Sequence, residues 1–178
     1  SGFRFQLHHC CNAGGIASYP EWAWDMVRCG IILYGSGDLA EKMGMQPVMS
    51  LKTRVATIKD FAAGEPISYG RTYFTQRPIG YADGLHRALS NQIEVLTPYG
   101  RAKQVGRICM DMCMIDVTDL PQVKSGDEVE IFGEHILCAD DAALCDTIPY
   151  ELMCAVSKRV PRVYRLNGVP VDKNLQPL

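Results

Sequence analysis

The chain has 178 residues, 47% of them hydrophobic and 21% charged, which is enough to bury a core and too apolar for a disordered polymer. Eighteen Lys and Arg against twenty Asp and Glu leave a net charge of −2, which excludes a general electrostatic footprint for nucleic acid or an anionic membrane surface. No apolar run reaches the ~20 residues of a membrane helix and no signal peptide opens the sequence, so a soluble cytoplasmic protein is expected.

Residues 5–11 read as a short apolar strand that ends in the loose Asn12-Ala13-Gly14-Gly15. Pro20 opens a predicted helix over 21–28, as helix starts favour. The apolar run 30–35, closed by Gly35, reads as a second strand. Strand, helix and strand with a continuously apolar second strand predict a βαβ unit of a parallel sheet. Residues 1–45 are therefore expected to be the tail of a larger α/β domain.

Beyond residue 46 the pattern turns to antiparallel β. Strands are predicted over 48–58, 66–74, 92–96, 102–117 and 128–132, separated by Gly- and Pro-bearing turns. Many short strands between such turns predict a sandwich or barrel for residues 46–178. Helices are expected over 139–146 and 149–158, and strands again over 160–166 and 169–171. The eight cysteines form no C-x-x-C pair. Most sit in apolar runs, where a free thiol behaves as a small buried hydrophobe.

Several motifs carry candidate chemistry. Arg28 lies beside Gly30 and Ile31, and an always-charged guanidinium next to exposed amides suits a phosphate; a surface arginine at a helix end is the plainer alternative. Tyr69 and Tyr73 fall on one strand face, and Gly70 leaves space beside Tyr69 for a ligand or another backbone. A tyrosine near a cation can act as a general base, although half-buried strand tyrosines are commoner. Strand alternation over 106–118 predicts Arg107, Cys109, Asp111 and Cys113 on one face and Met110, Met112, Met114 and Asp116 on the other. A metal site from Cys109, Asp111 and Cys113 is disfavoured, because a straight strand spreads its ligands too far. His8 and His9 point to opposite faces, and His86 and His135 carry no partner pattern.

The order of the motifs is more specific than any one of them. His9-x-x-Asn12 is followed by Val27-Arg28-x-Gly30-Ile31-x-x-Tyr34-Gly35, Ser68-Tyr69-Gly70 and Gly80-Tyr81-Ala82-Asp83-Gly84. Then come Gly106-Arg107-Ile108-Cys109-Met110-Asp111, Thr147-Ile148-x-Tyr150-Glu151 and Arg159-Val160-Pro161-Arg162. This series, spread over nearly the whole chain, resembles the C-terminal portion of the alanine racemases, fold-type III enzymes that use pyridoxal 5'-phosphate. The resemblance implies that residues 1–45 end a cofactor-binding (β/α)8 barrel and that residues 46–178 form the family's C-terminal β domain. It further implies a homodimer whose sites are shared between subunits, and racemisation of L- and D-alanine through a cofactor aldimine with two-base proton transfer, feeding peptidoglycan. Tyr69 would be the base on the L face. Arg28 would donate to the pyridine nitrogen, leaving the ring a weak electron sink. Gly30, Ile31, Tyr150 and Asn12 would hold the cofactor. The Met110 amide would receive the substrate carboxylate, and Tyr81, Arg87, Arg107 and Ile148 would line the substrate-access corridor.

Three departures qualify the resemblance. The family's cofactor lysine lies in a Val-Lys-Ala-x-Ala-Tyr-Gly-His-Gly motif that this sequence lacks, so the chain is expected to be inactive alone. Ala13 stands where the family usually has a serine, removing about 1 kcal/mol of phosphate hydrogen bonding that the Gly14 and Gly15 amides would offset. The stretch from Tyr69 to Tyr81 is several residues short, so a strand is expected to be missing between Gln76 and Pro78. Two other readings remain open: a serine or broad-specificity racemase, and a non-catalytic dimerisation module, for which the missing lysine is the best support. A barrel for single-stranded nucleic acid would want a basic groove and stacking aromatics, and 8% aromatics at −2 offer little.

Overall fold

A computed structural model describes residues 4–60, 76–77 and 79–172. In the N-terminal part the expected alternation of extended and helical segments is present, but shifted along the chain. Helix α1 (Ala13–Ser18) forms where the two glycines suggested a loop, because Asn12 caps it, its side chain accepting from the Gly15 amide at 3.0 Å. The helix expected over 21–28 is reduced to a single 3-10 turn, Pro20–Trp22, and the chain beyond it is extended. Residues 8–11 and 25–28 then run side by side in the same direction, joined by Asp25 N to His8 O at 3.2 Å and Arg28 N to Cys11 O at 2.8 Å.

The strand expected over 30–35 is a 3-10 segment, Gly30–Tyr34. Its boundaries explain the difference. Gly30 and Gly35 both have left-handed backbone, φ 55° and 66°, through which no strand can run. A Cβ on Gly35 would also lie 1.9 Å from the Gln46 carbonyl oxygen, so the chain returns directly over this glycine. Short helix α2 (Asp38–Lys42) fills the connection.

The remainder is mainly antiparallel sheet, as expected. Strands β1 (Leu51–Arg54), β2 (Gln76–Arg77), β3 (Glu94–Thr97), β4 (Gly100–Val105), β5 (Cys113–Ile115) and β6 (Glu128–Phe132) form one curled sheet in the order β1-β6-β3-β4-β5-β2. Val95 and Thr97 of β3 and Ala102 and Gln104 of β4 are the buried positions, with Val95 opposite Ala102, the period-2 burial of a half-buried hairpin. Helices α3 (Cys138–Leu144) and α4 (Pro149–Ala155) pack on each other, and their Ala142, Leu152 and flanking Val156 join Leu85, Leu89, Ile108, Ile115 and Ile131 in the core. Strands β7 (Tyr164–Leu166) and β8 (Val169–Val171) make a separate hairpin. The strand expected over 66–74 lies outside the described residues, as does Pro78.

One expected strand is broken, with a functional consequence. The predicted strand 102–117 stops at Val105 and resumes at Cys113. Buried Gln104 causes the break: its side-chain amide donates to the Gly106 carbonyl at 3.1 Å and its oxygen accepts from Asn91 N at 2.6 Å. Asn91 in turn accepts from Gly106 N at 2.6 Å, and Ser90 Oγ accepts from Ile108 N at 3.0 Å. Side chains thus take the ladder positions a neighbouring strand would need. Residues 106–112 leave the sheet as a turn, so Arg107, Cys109, Asp111 and Cys113 do not share a strand face.

All eight cysteines are free. Cys11, Cys113 and Cys138 are buried as small hydrophobes, whereas Cys10 and Cys154 are exposed. Among the described residues no group of three or more His, Cys, Asp or Glu could hold a metal ion, and no helix is long and apolar enough to cross a membrane.

Candidate active site

Two groups of the predicted site residues assemble. The first joins the N-terminal part to α4. Gly30 turns the backbone through its positive φ, which frees the Ile31 amide to donate to the Tyr150 hydroxyl at 3.0 Å, across 119 residues. A Cβ on Gly30 would stand 2.9 Å from that same oxygen, so a larger residue would push the hydroxyl aside as well as strain the positive φ. Tyr150 reaches it from the first turn of α4, which begins at Pro149 and is braced by Thr147 Oγ1 donating to Glu151. Beside the cradle, Arg28 is fixed by two acceptors, His9 Nδ1 at 2.6 Å and the Cys10 carbonyl at 3.3 Å. A guanidinium only donates, so His9 Nδ1 must be the acceptor nitrogen of its ring. Asn12 is engaged in capping α1, which sets the start of that helix in the same segment. A buried thiol sits below: Cys11 is pushed up from its ordinary value by burial and by the neighbouring Cys10.

The second group surrounds Met110. Its turn packs on the turn at 80–84, with Tyr81 N donating to Cys109 O and Ala82 N to Met110 O, both at 3.0 Å. Gly80 lies so close that a Cβ there would meet the Cys109 and Met110 carbonyl oxygens at 2.2 and 2.3 Å. Asp83 closes its own turn by accepting from Gly80 N at 2.9 Å. Met110 and Tyr81 are both substantially exposed. Arg87, at the start of the 3-10 segment Arg87–Leu89, and Arg107 are exposed, as is Ile148 ahead of α4. Cys109, Met110 and Asp111 bond through Tyr81 N, Ala82 N and Arg159, while Gly106 and Ile108 of the same turn are held by Asn91, Gln104 and Ser90. Tyr69 lies outside the described residues.

Sequence reasoning missed three features. Arg159 binds both Asp83 Oδ1 at 2.7 Å and Asp111 Oδ1 at 2.5 Å, and no spacing rule pairs charges 76 and 48 residues apart. His9 was not expected to hold Arg28. Asp141, 4% exposed, has one carboxylate oxygen without a hydrogen-bond partner, and burial with Asp140 nearby raises its pKa to about 7. Its spacing with Cys138 and Ala142 on one helix face was a readable signal. A cleft of about 500 Å³ lined by Asn91, Arg101, Lys103, Gln104, Asp141 and neighbours shares no residue with the predicted site.

Comparison with known proteins bears on the family of the chain. Residues 48–164 match the profile described as "Alanine racemase, C-terminal domain". Alanine racemase of Desulfovibrio desulfuricans is 50% identical over 175 residues, covering 92% of this chain and 47% of that protein. Alanine racemase 1 of Clostridium acetobutylicum is 45% identical over 180 residues, with 93% and 47% covered. The solved alanine racemase of Clostridium difficile 630, in complex with cycloserine, superposes at a TM-score of 0.86 with 37% identity, covering 97% of this chain and 49% of that one. The chain spans about half the length of the curated relatives it matches. It belongs to the alanine racemase family, of which it is a C-terminal portion.

Proposed function

We propose that this chain supplies the C-terminal half of a pyridoxal-phosphate-dependent racemase that interconverts L- and D-alanine, with residues 1–45 completing its cofactor barrel and 46–178 forming its β domain. The observation that carries the reading is the cradle of Gly30, the Ile31 amide and the Tyr150 hydroxyl, in a chain of this family. The Tyr150 hydroxyl keeps its own hydrogen to donate, and the Ile31 amide beside it, now given to the Tyr150 oxygen, would turn to an incoming phosphate, a donor pair that suits an anion. Large apolar side chains exposed along the first segment, among them Phe5, Leu7, Trp22, Trp24 and Leu33, suit a surface that packs against the rest of a barrel.

When bound, the cofactor supplies the electron-withdrawing system that acidifies the substrate's Cα–H. Gly30, Ile31 and Tyr150 hold its phosphate, and Asn12 orders the segment between His9 and α1. Arg28, held by His9 and the Cys10 carbonyl, donates a hydrogen bond to the ring nitrogen and retains its own proton, so that nitrogen stays unprotonated. Tyr69, as its phenolate, would take the Cα proton on the L face and become the neutral phenol, and a lysine of the front half would serve the opposite face. The Met110 amide receives the substrate carboxylate. Tyr81, Arg87, Arg107 and Ile148 restrict the approach to small amino acids. The working unit is a homodimer in which each site is completed by the partner's β domain, and its product is D-alanine for peptidoglycan.

Tyr69→Phe tests the reading. In protein made whole with a lysine-bearing front half, this change is expected to slow deuterium exchange at Cα of L-alanine by about 10²-fold or more, while exchange on D-alanine survives. Near-normal exchange of the L isomer contradicts the role given to Tyr69.

A further inference from the structure

We infer that Arg159 is a positioning residue for the substrate carboxylate, clamping Asp83 to Asp111 and so aiming the Met110 amide. The inference rests on the reading above that Met110 receives that carboxylate. Three distant stretches meet at this one guanidinium. Its Nε donates to Asp83 Oδ1 at 2.7 Å and a terminal nitrogen to Asp111 Oδ1 at 2.5 Å. Asp83 Oδ2 accepts from Gly80 N, and the Asp83 carbonyl accepts from Ser157 N at 3.0 Å, two residues before Arg159 itself. The ring so closed contains the 80–83 turn, the 109–111 turn and the chain leaving α4.

Peptide planarity carries this ring to the Met110 amide. The Cys109 carbonyl and the Met110 N–H belong to one rigid trans peptide and point in opposite directions. Tyr81 N holds that carbonyl at 3.0 Å, so the Met110 N–H is turned away from the Tyr81 amide, in a residue that is itself 54% exposed. Ala82 N fixes the next peptide through Met110 O. The direction of the amide is thus set by how firmly the two turns are held together, and the Arg159 side chain spans them.

The residue types fit registry better than stability. Arg159 is 48% exposed and Asp111 56% exposed, so that pair contributes little to folding, whereas Asp83 is 15% exposed and its pair is the more sheltered of the two. Arginine's planar fork offers two separate nitrogens, Nε and a terminal one, to the two carboxylates, which the single ammonium of lysine does not. Without it, two carboxylates that now share one cation would face each other across the joint.

The test has two arms. In the 178-residue chain, Arg159→Ala is expected to speed amide hydrogen exchange at Tyr81 and Ala82 at least about tenfold, with Tm changed by only a few degrees. In the holoenzyme, the same change is expected to raise KM for both alanine isomers about tenfold with kcat held within about threefold, and Arg159→Lys to recover only part of the loss. Unchanged exchange would overturn the clamp. Faster exchange with unchanged KM, or a fall in Tm and kcat alone, would reduce Arg159 to a structural residue and overturn the proposal. A wild-type holoenzyme that racemises no alanine would instead overturn the functional reading, and with it the role toward substrate, whatever the exchange arm shows.

Discussion

Asp141 shows how one residue can set the solution behaviour of the chain. Its carboxyl sits on the inward face of α3, with burial, then the charge of Asp140, raising its pKa from 3.8 to about 7. The unfolded chain gives up this proton near its ordinary value, while the folded chain keeps it until about pH 7. The unfolded state therefore binds fewer protons between those values, and stability falls as pH rises from about 4 to 7, then levels. At most the loss is ~4 kcal/mol. Glu130 works in the opposite sense: burial opposes its ionisation, but the His135 and Ile136 amides outweigh it and hold its pKa below the ordinary value. The clean readout is therefore a difference. Asp141→Asn is expected to raise Tm relative to wild type by an amount that grows from pH 4 to 7, and parallel Tm profiles would contradict the assignment. At this scale the sequence was partly legible. The grouping of Gly30 and Ile31 with Tyr150 was legible only through the family resemblance, since the contact spans 119 residues. The Arg159 clamp was not, because charge pairing across 48 and 76 residues depends on a fold no local rule contains.

Among elements, the turn pair 80–84 and 106–112 matters most, and Gly80 is its tightest point. A methyl group there would overlap two backbone carbonyls, which cannot move without parting the turns. Gly80→Ala is expected to cost ~2–3 kcal/mol or more, roughly 4–12 °C in Tm. Gly14→Ala is the contrasting control: its nearest neighbour would be Asn12 Oδ1 at 3.6 Å, and an alanine within α1 should leave stability unchanged or raise it by up to ~1 kcal/mol. Equal losses for the two variants in thermal melts would contradict the packing described. Strands were read well where burial alternates or a short apolar run is flanked by turn residues, as at β6 and β8, whose limits match the expectation. The N-terminal elements were misplaced because a run such as Ile31-Ile32-Leu33-Tyr34 suits a strand and a 3-10 turn equally. Left-handed Gly30 and Gly35 decided between them. The interruption of the predicted strand 102–117 came from Gln104, a polar residue whose inward direction only the fold reveals.

On the scale of the whole molecule, the chain carries a sheet domain with its own core and a first segment rich in exposed apolar side chains. It spans about half the length of the relatives that it matches. The central claim is that this chain completes a racemase site. The measurement that tests it most directly is D-alanine formation from L-alanine, with pyridoxal phosphate, by this chain joined to the front half of the Desulfovibrio desulfuricans relative. The account predicts steady racemisation in both directions, absent from either half alone and lost with Tyr69→Phe. A folded, cofactor-loaded assembly that converts neither isomer would contradict it.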